Sequence, residues 1–126
     1  MKIAISASEN QLAASIELNF EKAPYYILID LDRPVEAGYK VVHNPNVQSM
    51  NNAGILAAQM LINLGIDVLI TGWCDPNALR VFQKAKIPIY QATAGTVEAM
   101  VAMFKAKNYT LEDLLNMSES GSSKLP

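Results

Sequence analysis

The spacing of apolar residues changes repeatedly along the chain, and each change marks an element. Ile3 and Ile5 make Lys2–Ser6 a strand, and polar Ser8–Gln11 reads as a turn. Leu12–Ala23 has no clear period, and Asn19–Pro24 reads as loop because proline disfavours helix at Ala23. Tyr25–Asp30 is aromatic and aliphatic, a second strand. Asp32-Arg33-Pro34 is a turn signal, and Gly38–His43 completes a hairpin before Asn44-Pro45-Asn46 breaks the pattern. Ala53–Leu64 is built of helix formers and stops at Gly65. Asp67–Thr71 is a short strand. Asp75-Pro76 then pairs an N-cap with a proline at the first helical position, predicting a helix to about Ala85. Ile87–Tyr90 is a strand. Gly95–Lys107 is a helix with Val97, Met100, Val101 and Phe104 on one face. Thr110-Leu111-Glu112-Asp113 opens a short last helix.

Strands alternating with helices imply parallel pairing, and the hairpin adds antiparallel character. The expectation is an α/β domain with a mixed sheet and helices on both faces. Residues 1–116 form that domain, and polar, serine-rich 117–126 is expected to be a flexible tail. Ala53–Leu64 is apolar almost all round, with only Gln59 and Asn63 in a polar stripe. Neighbouring helices or a second copy of the chain, in a homo-oligomer, are expected to cover it.

Composition narrows the function. The 126 residues carry a net charge of -2, so a basic footprint for nucleic acid or a membrane surface is missing. No apolar run approaches a membrane span, and Met1–Ser6 is too short for a signal peptide. The single cysteine, Cys74, cannot form an internal disulfide. A cytoplasmic protein is expected.

In open α/β sheets, ligands bind beyond the carboxyl ends of the parallel strands. Three polar loops should meet there: Asn44–Asn52, Gly72–Asp75 and Ala92–Gly95. Cys74 is the most chemically capable residue among them, because a thiol beside a helix N-terminus can become a thiolate ligand or nucleophile. Against this, Asp75 is expected to occupy that helix start itself and to oppose a thiolate; the plain alternative is a small half-buried hydrophobe. His43 is the only histidine, at the end of a strand. It is a ligand candidate or a surface residue. Trp73 is either a packing residue or an exposed contact. Met50, Met60, Met100 and Met103 read as core filler.

Catalytic constellations are largely absent. There is no Gly-x-Ser-x-Gly elbow, no phosphate loop, no Gly-x-Gly-x-x-Gly and no zinc motif of Cys-x-x-Cys type. A non-enzymatic role is expected; an enzyme using Cys74 as nucleophile is the competing reading.

Several pieces in order resemble a known family. They are Met1-Lys2-Ile3-Ala4-Ile5, Phe20, Ala23-Pro24-Tyr25-Tyr26-Ile27, Asn44-Pro45, Ala53-Gly54-Ile55 and Ala57-Ala58-Gln59. Leu64-Gly65-Ile66-Asp67-Val68, Pro76-Asn77-Ala78, Ile89-Tyr90 and Gly95-Thr96-Val97-Glu98 follow. Over roughly Met1 to Lys107 the chain resembles the dinitrogenase iron-molybdenum cofactor-binding family, which includes nitrogenase cofactor carriers and molybdenum–copper orange proteins. The resemblance implies a three-layer ribonuclease H-like fold with a mixed five-stranded sheet. It implies binding of an iron–sulfur, iron–molybdenum or molybdenum–copper cluster for cofactor assembly or storage, with cluster-donating or cluster-accepting proteins as partners. The family commonly reads His-Phe-Gly-Arg-Ala-Pro where this chain has Asn19-Phe20-Glu21-Lys22-Ala23-Pro24, and glycine where it has Asp75. Lys22 keeps arginine's charge without its bidentate geometry. The expected cofactor-contacting residues are Cys74, His43, Asn19, Lys22 and Trp73, with Cys74 the metal ligand. The alternative is an interaction or regulatory module of the same fold that has lost its metal.

Overall fold

The computed structural model describes residues 1–45 and 52–119. Its strands are β1 (Lys2–Ala7), β2 (Tyr25–Asp30), β3 (Tyr39–His43), β4 (Val68–Thr71) and β5 (Ile89–Gln91). They form one sheet in the order β3-β2-β1-β4-β5. β1 is antiparallel to β2 and parallel to β4, β2 is antiparallel to β3, and β4 is parallel to β5. This is the expected mixed five-stranded, ribonuclease H-like topology.

The strands nearest the centre are apolar on both sides because both faces are covered. On one face Ile3, Ile5, Ile27, Ile29, Val68 and Ile70 pack with α4 (Val97–Lys107) and α5 (Leu111–Glu119). On the other, Ala4, Tyr26, Leu28 and Leu69 pack with α2 (Ala53–Asn63), α3 (Pro76–Lys84) and a 3-10 turn at Phe20–Lys22. α2 buries Gly54, Ala57, Ala58 and Leu61, and leaves Leu56 exposed. Met60, Met100 and Met103 are core filler as expected; Met50 lies outside the described residues.

Several boundaries move for physical reasons. Gly38 is not in a strand: α1 (Val35–Gly38) is a single helical turn between β2 and β3. The fifth strand starts two residues late because Ile87 ends α3 instead. Its N–H reaches Phe82 O at 3.0 Å while the Lys86 N–H reaches Gln83 O at 3.0 Å. That is a Schellman closure, with Lys86 at φ 59 in the left-handed position. Gly65, at φ 83, closes α2 in the same way. α5 opens with the expected reciprocal cap, Thr110 Oγ1 to the Asp113 N–H and Asp113 Oδ2 to the Thr110 N–H. It runs to Glu119, and Met117 packs on the core, so the first three residues of the expected tail are helix. Residues 120–126 lie outside the described residues.

Candidate functional site

β1, β3, β4 and β5 all end at one edge of the sheet, where β2 begins. Of the three loops expected there, two are fully described; residues 46–51 of the third lie outside the described residues. A polar cluster closes this edge from below. Ser6 Oγ lies 2.6 Å from Glu17 O and 2.8 Å from Thr71 Oγ1. One serine proton serves the carbonyl, so the threonine hydroxyl donates to Ser6. Tyr26 donates to Phe20 O at 2.6 Å and accepts from Asn44 Nδ2 at 3.2 Å. Asn44 Nδ2 also donates to Ala23 O at 2.8 Å. The sequence marks Asn44 as a strand break and the start of a polar loop, but not as part of this buried network.

The loop after β4 is laced to the segment before β2. Trp73 donates its N–H to Leu18 O, and its carbonyl accepts the Phe20 N–H at 2.9 Å, which makes a parallel bridge between Asn19 and Trp73. The structure therefore brings Asn19 to the adjacent pair Trp73 and Cys74, which lies far from it in sequence. Trp73 is 54% exposed beside Leu18 at 40%, so it is a surface residue and not a packing one. The Asn19 N–H reaches Glu17 Oε2, while its buried Oδ1 has no partner. Lys22 is exposed, without an ion pair among the described residues.

Cys74 is half-buried and packs against the core under α2 and α3. Burial, then the carboxylates of Glu21 and Asp75, push its thiol up to about 12. The plain reading of Cys74 thus describes its ground state: a protonated, inward-packed side chain. Asp75 opposes the thiolate as expected, but it does not occupy the helix start, since its side chain makes no cap. Glu21 takes that place, its Oε1 accepting the Asp75 N–H at 3.2 Å. The same oxygen lies 3.5 Å from where a Cβ on Gly54 would stand, in the first turn of α2.

His43 does not join the group. It is exposed on the outermost strand, edge-to-face with Tyr25 at 5.7 Å between ring centroids. β3 and β4 are separated by β2 and β1, three strand spacings or roughly 14 Å. His43 cannot share a small ligand with Cys74 in one chain. Among the described residues no three His, Cys, Asp or Glu side chains gather as a metal cage. A protonated thiol flanked by two carboxylates is a poor donor set for an anionic metal–sulfur cluster. The residues at Cys74 do not fit such a group as a ligand cage.

The profile described as dinitrogenase iron-molybdenum cofactor matches residues 1–107. An uncharacterized protein of Methanocaldococcus jannaschii is 21% identical over 104 residues, which is 82% of this chain and 85% of that one. The apo form of the orange protein from Desulfovibrio gigas superimposes with a TM-score of 0.76 at 29% identity, covering 84% of this chain and 88% of that one. A Thermotoga protein of the DUF35 family, solved by NMR, gives 0.71 at 24% identity, covering 83% and 87%; this likeness supports the fold alone.

Proposed function

Because this chain belongs to the dinitrogenase iron-molybdenum cofactor family, we propose that it binds or carries a metal cluster at the edge formed by residues 18–22 and 72–75. The cluster is cargo, of iron–sulfur, iron–molybdenum or molybdenum–copper type, and the role is non-enzymatic. The observation that carries this reading is the lacing of Asn19 to Trp73. It keeps the two segments that would meet a cluster as one continuous wall. With Cys74 turned inward, the cluster is held by the surface of the edge, not by a cage of side-chain ligands. No helix among the described residues is long and apolar enough to cross a membrane. A cytoplasmic carrier that meets donor and acceptor proteins through exposed Trp73 and Leu18 fits this surface.

Anaerobic reconstitution with iron, sulfide, molybdate and copper, followed by visible absorption and metal analysis, tests the reading. Wild type is expected to take up metal, and Cys74→Ala to keep most of it. Background metal in wild type would remove the reading. A second reading, an interaction module without metal, is favoured by one observation: the Glu21 and Asp75 carboxylates both oppose a thiolate at Cys74. It predicts no metal uptake together with a defined complex or dimer by light scattering.

A further inference from the structure

We infer that Glu21 sets the charge of what this edge accepts, its carboxylate filling from within the chain the place between the first turns of α2 and α3. The inference rests on cluster carriage at this edge and names the residue that selects the cargo. One oxygen lies beside both helix starts. Glu21 Oε1 accepts the Asp75 N–H at 3.2 Å and lies 3.5 Å from a Cβ built on Gly54. Neither helix caps itself: the N-cap residues Asn52 and Asp75 make no side-chain cap, and neither first turn holds an acidic residue. Free N–H groups and the positive ends of two helices favour a negative charge there. Glu21 already provides it.

Among the described residues no cation neutralises that carboxylate directly. The one ion pair among the described residues joins the Met1 amino group to Asp32, at the opposite end of β1. A second anion arriving at the edge therefore meets Glu21 and Asp75 together, in a place where the helix dipoles are already used. The half-buried thiol of Cys74 feels the same two carboxylates, which oppose negative charge at this loop. Neutral or cationic metal species meet no such opposition. Of the two carboxylates that oppose an anionic cluster here, Glu21 is the one whose oxygen lies beside both helix starts.

The test is an optical titration with tetrathiomolybdate, a dianion, on wild type, Glu21→Gln, Glu21→Gly and the distant surface control Glu112→Gln. Glutamine keeps an oxygen for the Asp75 N–H, so this variant keeps the fold while losing the charge; circular dichroism checks it. Both Glu21 variants are expected to bind about tenfold tighter than wild type or more, with the gap shrinking as salt rises. Glu112→Gln is expected to match wild type. Equal affinity in all four proteins, or no binding by either Glu21 variant, overturns the inference. Wild type that fails reconstitution beside a Glu21→Gly protein that binds would sink cluster carriage and keep this inference. Metal uptake by wild type that is unaltered by either Glu21 substitution would do the reverse.

Discussion

Gly72 lies so close to the backbone of Leu18 that a Cβ on it would stand 2.7 Å from Leu18 Cβ and 2.8 Å from Leu18 Cα. The neighbouring atoms belong mainly to backbone, so they cannot swing aside. Gly72→Ala is therefore expected to destabilise the fold by about 1–3 kcal/mol, the usual cost of overpacking. It should also loosen the Asn19–Trp73 bridge. Urea unfolding reads the first effect, and faster amide exchange at Trp73 reads the second. An unchanged midpoint would show that the two segments are not held this tightly.

Tyr26 ties the 3-10 turn to the end of β3. Its hydroxyl donates to Phe20 O and accepts from Asn44 Nδ2, all within buried structure. Tyr26→Phe strips that partner from both groups and is expected to cost about 1–3 kcal/mol. Tyr25→Phe, on the neighbouring residue, should stay within about 0.5 kcal/mol of wild type. The difference in urea midpoint between the two variants isolates the buried bonds from ring packing.

Lys86 holds the left-handed position that ends α3, where a side chain crowds the following carbonyl. Lys86→Gly relieves this and gives back part of the gain as chain entropy. A net stabilisation of about 0.5–1 kcal/mol is expected, read as a raised Tm. A loss of stability would mean that the lysine side chain does something at that turn beyond closing it.

Helix ends are legible in the chain where local chemistry sets them, and long-range partners are not. Pro76 and Gly65 mark helix ends by local chemistry, so the start of α3 and the stop of α2 are visible in the chain itself. Ile87 looks like strand because its side chain is β-branched, yet its N–H is needed by Phe82 O. The role of Glu21 is invisible in the sequence because its partner, the Asp75 N–H, lies 54 residues away. The direction Cys74 faces is equally hidden: being next to a helix start does not say which side of the loop the thiol packs on. The polar edge of the sheet was legible, but which of its residues meet was not.

The Cys74 thiol titrates late. Burial first, then Glu21 and Asp75, raise it from 9.0 to about 12. Iodoacetamide alkylation at pH 8 is thus expected to be far slower than for an unfolded thiol, with the rate still rising above pH 10. Glu21→Gln should speed it by removing one of the opposing charges. The folded state holds this proton more tightly than the unfolded state, so its contribution to stability is complete below about pH 9. That contribution falls as pH rises towards about 12. Fast alkylation near neutral pH would mean that the thiol faces solvent.

His43 separates a single-chain site from one shared between copies. It is exposed on the outermost strand and packs against Tyr25, roughly three strand spacings from the loop that carries Cys74. No small cluster at the Asn19–Trp73 wall reaches it within one chain. His43→Ala should therefore leave the metal content and visible spectrum of the reconstituted protein as in wild type, at matched protein concentration. A drop by half or more, steeper on dilution, would show that a second copy brings its own β3 edge to the cargo.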